Sequence, residues 1–343
     1  MKRRVLIVDD SPLIRSMLRD MISSDHELEI VGFAQDGNEA VQRVAELKPD
    51  VVTMDVEMPN KNGICAVREI MASNPTPILM VSSLTSAGTS STVDALSAGA
   101  FDFICKPGNG SLRHFREVRD ELIRKIHASS FARFSEMSRA IVQARTPMLP
   151  GNKIILIASS TGGPRSLSIL WQQLPKDLNV PILLVQHMPP GFTASLASRL
   201  SSYNTVPCRE ANDGDSIEPG QALMAVGGRH MRVAPGDKIT LEDGPSIHGV
   251  KPAADHLFTS ASEIYGSRII GAVLTGMGRD GAAGAKAILD SGGIVFGESE
   301  SSCTIYGMPK AAKEFGGITA EYAIHEMGQA VVGALTRKVA RAS

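Results

Sequence analysis

The chain has 343 residues, 43% hydrophobic and 21% charged, a balance that excludes disorder and collagen-like repetition and, at roughly 100–200 residues per domain, predicts two or three domains. Lys and Arg total 35 against 36 Asp and Glu, for a net charge of −1, which removes the basic footprint of a nucleic-acid binder. Cys65, Cys105, Cys208 and Cys303 lie far apart with no C-x-x-C pair, so neither a zinc ribbon nor a disulfide framework is expected, only reduced and mostly buried thiols.

Lys2, Arg3 and Arg4 precede an apolar run at 5–8 that meets Asp9 and Asp10, far short of the apolar core of a signal peptide. No stretch reaches the ~18 apolar residues of a membrane span. The expectation is a cytoplasmic protein without membrane insertion.

Residues 1–125 alternate short β-branched runs with amphipathic segments. Strands are expected at 5–8, 29–34, 51–54, 78–81 and 101–104, and helices begin near Pro12, Gly37, Gly63 and Thr92, with a last one over 112–127. The runs V-L-I-V, V-V-T-M and I-L-M-V are continuously apolar, as strands buried on both faces of a parallel sheet should be. Residues 126–150 lose this pattern. They carry Arg133, Arg139 and Arg145 against Glu136 and end in a Pro/Gly cluster, which reads as a basic, partly helical linker.

A second α/β domain follows over 151–343. Its strands are expected at 154–157, 182–185, 269–275 and 294–296, with helices after Pro164, Thr193, Ala254 and Gly281. Between Ala222 and Leu241, Gly227-Gly228 and Gly236-Asp237 punctuate short alternating runs, which reads as an inserted β-meander or hairpin. The fold class is therefore α/β twice over, the second domain doubly wound and mostly parallel.

In an open parallel sheet, ligands gather at the carboxyl ends of the strands. Asp9 and Asp10 end the first strand, Asp55 the third and Ser82 the fourth, while Lys106-Pro107 follows the fifth. A strand-end Asp is commonly only a helix cap, but clustered carboxylates repel unless a cation neutralises them, and a partly hydrated Mg²⁺ suits two or three oxygens. These residues together resemble a response-regulator receiver domain of the flavodoxin-like type, strand order 2-1-3-4-5. The resemblance implies a phosphoaspartate at Asp55, Mg²⁺ held by Asp10, Asp55 and the Glu57 carbonyl with Asp9 in support, and switch positions at Ser82, Phe103 and Lys106. Ser83 is a neighbouring hydroxyl, and the strand-end alignment favours Ser82.

In the second domain, the strand I-I-L-I runs into A-S-S-T-G-G-P and then a helix. A hydroxyl in such a turn stands exposed, with helix amides aimed at whatever it attacks. Ser160 is the central candidate, although Ser and Thr before a helix are more often caps, and the turn is not G-x-S-x-G. His187 follows the next strand and precedes Met188-Pro189-Pro190-Gly191, which puts a candidate base at the same sheet edge. His230 and His256 are reserves. Gly276, Gly278 and Gly281 spell G-x-G-x-x-G after a strand, and Glu298 near the end of the next strand imitates a ribose-binding acid. That is one reading; the other has Asp280 orienting the base and the backbone near Met277 supplying an oxyanion donor.

A-S-S-T-G-G-P, Q-H-M-P-P-G-F and L-T-G-M-G-R-D-G-A, behind a receiver and a linker, resemble the chemotaxis protein-glutamate methylesterases, the CheB family. The resemblance spans essentially the whole chain. It implies a triad of Ser160, His187 and Asp280, an oxyanion amide at Met277 and a supporting hydroxyl at Thr161. It also implies demethylation of glutamate methyl esters and deamidation of glutamines on methyl-accepting chemoreceptors, a histidine kinase as phosphodonor, and no cofactor for hydrolysis. Before phosphorylation the receiver is expected to cover the sheet edge bearing Ser160. Ala158 and Ser159 stand where the family often has Gly-Ala, so Ser159 is a bystander hydroxyl to exclude. Three other readings remain: a phosphorylation-controlled binding module with an inactive output domain, an NAD(P)-binding oxidoreductase through Gly276–Gly281, and, more weakly, a DNA-binding response regulator.

Overall fold

The computed structural model describes residues 2–83, 85–106, 112–132 and 153–336. The chain divides into two compact units, Met1–Phe134 and Ser135–Ser343.

The first unit runs β1 (Arg3–Val8), α1 (Pro12–Ile22), β2 (Leu28–Ala34), α2 (Gly37–Leu47), β3 (Val51–Asp55), α3 (Gly63–Ser73), β4 (Ile78–Ser82), α4 (Ser86–Ala98), β5 (Asp102–Cys105) and α5 (Leu112–Ala128). All five strands pair in parallel in the order β2-β1-β3-β4-β5. Residues of β1, β3 and β4 such as Val5, Ile7, Val51, Leu79 and Val81 are fully buried, the burial on both faces that their unbroken apolar runs require. Local chemistry starts the helices. Ser11 accepts the Ile14 amide ahead of Pro12, Asp36 accepts those of Asn38 and Glu39, and Asn62 accepts that of Cys65. Helix α4 starts six residues before the expected Thr92 because the Thr85 hydroxyl accepts the Gly88 amide at 3.0 Å. Past α5, Ser129–Phe131 forms a 3₁₀ turn, and the rest of the expected linker, 133–150, lies outside the described residues.

The second unit contains β6 (Ile154–Ser159), α6 (Gly163–Gln173), β7 (Ile182–Gln186), α7 (Phe192–Ser201), β8 (Cys208–Glu210), β9 (Ala222–Met224), β10 (His230–Ala234), β11 (Lys238–Glu242), α8 (Ala254–Tyr265), β12 (Ile269–Val273), α9 (Ala282–Asp290), β13 (Ile294–Glu298), α10 (Met308–Glu314), β14 (Ala320–Tyr322) and α11 (Ile324–Leu335). Seven strands form one parallel sheet, β14-β13-β12-β6-β7-β9-β8. The expected meander splits. The fully buried run Ala222–Met224 joins the parallel sheet beside β7, and only β10 and β11 make an antiparallel hairpin. Gly236 and Asp237 both take positive φ, 80° and 54°, in the three-residue turn between Ala234 and Lys238 that closes the hairpin. The short edge strands β8 and β14 give too few alternations to be read from sequence.

The chain order reverses at β6, which lies between β7 and β12. Such a switch point opens a crevice at the carboxyl ends of the strands. No helix among the described residues is long and apolar enough to cross a membrane. The cysteines are free thiols; Cys208 and Cys303 are buried, but Cys65 is exposed, so the expectation of mostly buried thiols holds for only half of them.

Candidate functional site

Ser160 leaves the end of β6 at the switch point, where its amide donates to the Thr275 carbonyl beyond β12 at 3.0 Å. Its carbonyl accepts the Gly163 amide at 2.7 Å, closing the tight turn into α6. Gly162 sits at φ 79° in that turn, and an added Cβ there would lie 2.4 Å from the Thr304 side chain. Thr161 is buried, and its carbonyl accepts the Thr275 hydroxyl at 3.0 Å.

β6 and β7 pair up to Ser159 and Gln186, so the next residues in register are Ser160 and His187. The His187 amide donates to the Ser159 carbonyl at 3.0 Å. The His187 ring bonds Asp280 from Nε2 to Oδ2 at 2.7 Å. Its Nδ1 is buried and has no hydrogen-bond partner. Asp280 therefore holds the ring with its acceptor nitrogen unengaged, and the unengaged nitrogen is Nδ1 rather than the Nε2 of the chymotrypsin arrangement.

Asp280 is 2% exposed. Burial alone would raise its pKa, but the His187 hydrogen bond and charge, with the Ala254 and Asp255 amides, hold it below its ordinary value of 3.8. Those amides reach Oδ2 at 2.6 Å and Oδ1 at 3.0 Å. Helix α8 has no side-chain cap of its own at Ala253, so Asp280 caps it from outside. The favour is returned: Asp255 in the first turn of α8 accepts the Gly284 amide of α9 at 2.7 Å. The anion is thereby fixed between two helix N-termini, where negative charge is favoured.

The G-x-G-x-x-G stretch follows β12 and precedes α9, as read, but its glycines serve another purpose. A Cβ at Gly276 would lie 2.8 Å from Ser160 Cβ and 2.3 Å from Met308 Sδ; the residue is Gly because the Ser160 turn packs on it. Glu298 is fully buried and accepts the Thr275 amide at 2.9 Å, with the Ser302 and Ser166 hydroxyls at 3.0 and 3.3 Å. It braces the turn and presents no carboxylate to a ribose. Met277 is half-buried directly after Gly276. The reserve histidines are engaged elsewhere: His230 contacts the Pro245 carbonyl and the Ala253 amide, and His256 pairs with Glu242 at 2.9 Å.

At the carboxyl edge of the first unit, the carboxylates of Asp9, Asp10 and Asp55 come within 4.8 Å of one another. Lys106 Nζ lies 2.8 Å from Asp55 and 3.0 Å from Asp9. Burial, with the Asp9 charge adding to it, pushes the Asp55 pKa up to about 6 against the pull of Lys106. Three carboxylates against one ammonium make a donor set suited to a hard divalent cation. A cavity of ≈ 310 Å³ beside them is lined by Asp10, Asp55, Glu57, Ser83, Gly88 and Lys106. Ser83, not Ser82, lines it. The Ser82 hydroxyl is buried, donating to the Gly88 carbonyl at 3.2 Å and meeting Thr92 Oγ1 at 2.5 Å. Phe103 is buried, with Lys125 Nζ 5.3 Å from its ring centroid. Pro107 lies outside the described residues.

The sequence pattern alone left Gln186 and Asp255 unnoticed. Gln186 precedes His187, and its buried amide reaches both Ser159 and Ser160; a polar residue at the end of an otherwise apolar strand was the available signal.

Residues 155–331 match the CheB methylesterase family model, and residues 5–114 match the response regulator receiver domain. A Pyrococcus horikoshii protein-glutamate methylesterase/protein-glutamine glutaminase is 45% identical, over 97% of this chain and 94% of its own length. The Thermotoga maritima protein of the same name is 46% identical, over 91% of this chain and 93% of its own. The crystal structure of the Thermotoga maritima CheB methylesterase catalytic domain matches with a TM-score of 0.52 at 40% identity, covering 54% of this chain and 99% of that one. With its parallel catalytic sheet behind a receiver, the chain belongs to the CheB methylesterase family.

Proposed function

We propose that the protein is a phosphorylation-activated protein-glutamate methylesterase and protein-glutamine deamidase acting on chemoreceptors. The observation that carries the reading is the His187–Asp280 bond of 2.7 Å, with the second imidazole nitrogen buried and unengaged one register step across from Ser160. Ser160 Oγ attacks the γ-carboxyl carbon of a methylated glutamate, and its proton passes to His187 Nδ1. Main-chain amides of the turn after Ser160 and at Met277 receive the oxyanion. Nδ1 returns the proton to the departing methoxide, which leaves as methanol. Water, deprotonated at the same nitrogen, then attacks the acyl-enzyme; the acyl–Oγ bond breaks, Nδ1 returns the proton to Ser160 Oγ, and glutamate is freed. With a glutamine substrate the leaving group is ammonia. Asp280 keeps the other proton on Nε2 and stabilises the imidazolium.

Asp55 accepts the phosphoryl group from a histidine kinase or a small phosphodonor. Asp10, Asp55 and the Glu57 carbonyl would hold Mg²⁺, with Asp9 in support, and the ion would neutralise the phosphoryl oxygens. Lys106 holds a further oxygen of that group, and Ser82, with Phe103, must turn from its bonds to α4 to answer it. The domain division follows the same reading: receiver over 1–125, linker over 126–150 and esterase over 151–343, all cytoplasmic.

The test is methanol release from methylated receptor membranes, with and without a small phosphodonor plus Mg²⁺. Release that rises with the donor supports esterase and control together. Ser160→Ala is expected to abolish release while Asp55 still takes up phosphate; release persisting in that variant sinks the triad.

A further inference from the structure

We propose that Gln186 is a positioning residue for hydrolysis, and that Ser159, one of this chain's departures from the family's usual turn, is its anchor. The proposal rests on the reading of Ser160 as nucleophile and His187 as base. The Gln186 side chain is 2% exposed and meets three partners. Its Nε2 donates to the Ser160 carbonyl at 2.9 Å and to the His187 carbonyl at 3.2 Å. Its Oε1 accepts the Ser159 hydroxyl at 2.7 Å. One amide thus joins the carbonyl of the nucleophile to the carbonyl of the base, across the two strands that present them.

Only one amide orientation satisfies this site. Turned over, Oε1 would face two carbonyl oxygens and lose both bonds, a costly arrangement in a buried position. Ser159 supplies the donor that holds the correct orientation; an alanine in its place would leave Oε1 without that bond. The contact also explains Gly163: a Cβ there would lie 2.0 Å from Gln186 Oε1 and 2.9 Å from Ser159 Cβ. The turn gives up a side chain at its third position so that the Gln186 amide can enter it. Ser160 is then tied through Thr275, Gly163 and Gln186, and only the last of these ties also reaches His187.

A hydrogen bond to a main-chain carbonyl moves neither the charge on His187 nor substrate affinity. Its loss loosens the register between Oγ and Nδ1, so the damage falls on kcat.

The experiment compares full-length wild type with Gln186→Met, Gln186→Glu, Ser159→Ala and the double variant Ser159→Ala/Gln186→Met. Readouts are methanol-release kinetics against pH, thermal unfolding, and labelling of Ser160 by a serine-directed fluorophosphonate. Gln186→Met keeps the volume and removes the donor; it is expected to lower kcat about 10- to 100-fold with KM and the acidic limb of the pH profile unmoved. Gln186→Glu, which sets a carboxylate against two carbonyls, should lose at least as much. Ser159→Ala should lose about 2- to 5-fold. The double variant leaves no unpaired Ser159 hydroxyl, so it should regain Tm relative to Gln186→Met but not kcat, a split that a packing role would not produce. A Gln186→Met enzyme with wild-type kcat overturns the proposal. If that variant fails to fold, Ser159→Ala decides: an unchanged rate overturns it equally. Wild type that is never labelled at Ser160 overturns the catalytic reading beneath, and the inference with it.

Discussion

The two halves of this chain begin their helices in opposite ways. In the receiver, α1 to α4 each carry a local cap from Ser11, Asp36, Asn62 or Thr85. In the esterase unit, α6 to α11 begin at Gly162, Gly191, Ala253, Gly281, Gly307 and Ala323, without a cap bond from any of those residues. A capping side chain consumes amides and covers the helix end. The receiver can accept that cover because its acidic cluster offers side-chain oxygens rather than helix amides. The esterase unit leaves its helix starts open to close backbone approach, as the proposed attack by Ser160 requires at α6. It meets the cost at α8 and α9 by exchanging carboxylates, Asp280 for one and Asp255 for the other. On the proposed mechanism, catalytic and structural work coincide in Asp280, whereas Asp36 has structural work alone.

Substitutions can break or sharpen this contrast. The largest effect is expected of Asp280→Asn, which keeps one oxygen for α8 but no longer fixes the His187 tautomer and turns its NH2 towards a donor; ester hydrolysis should fall about 10⁴-fold at a stability cost of about 1–3 kcal/mol. Steady-state methanol release and urea unfolding measure the two sides. Gly276→Ala comes next. Its methyl group presses on the Ser160 turn, so kcat should drop about 100-fold at a stability cost of about 1–3 kcal/mol. A full-activity Gly276→Ala enzyme would mean the turn yields freely.

Asp280→Ala removes the external cap as well, and should destabilise the esterase unit by about 1–2 kcal/mol beyond Asp280→Asn. The pH dependence carries the same signature. Because the folded-state pKa of Asp280 is depressed, its contribution is fully present above pH 3.8 and is lost as pH falls below that value through the folded pKa. Acid unfolding of the second unit should therefore be shallower in Asp280→Asn, and identical acid curves would remove the electrostatic part of the account. The smallest effect belongs to Asp36→Ala: about 1 kcal/mol lost from the receiver, with donor-free ester hydrolysis unchanged. Any loss of that basal activity would contradict the separation of roles.

The same contrast governs what could be read in advance. Strands β1, β3, β4, β6 and β7 were legible because a buried parallel strand must be an apolar run, and the polar residue ending each run had to stand at the carboxyl edge. Asp9, Asp55, Ser160 and His187 were found that way. Helix starts were legible where Ser11-Pro12 or Asp36-Gly37 announced them. Thr92 misled because its hydroxyl bonds the Gly88 carbonyl one turn back and Ser82 of β4 rather than capping a helix start, and the cap, Thr85, had no apolar pattern to mark it. The meander was misread because Ala222–Met224 is indistinguishable from a hairpin strand until β7 is beside it.

Composition and pattern by themselves determined two α/β units, the edge at which each collects its polar side chains, and the motifs that carry the family resemblance. Those properties depend on the strand period and on turn chemistry, which act over a few residues. The tertiary structure decided which of those side chains meet. It brought the Gly276 turn against Ser160, placed Asp280 both against His187 and at the N-terminus of α8, buried Glu298 as a brace, and set the Gln186 amide between the Ser160 and His187 carbonyls. Each of these follows from β6 lying between β7 and β12, with β13 beside β12, and from α8 packing alongside α9. Strand order and helix pairing are set by burial of the whole sheet, which no local stretch of residues encodes.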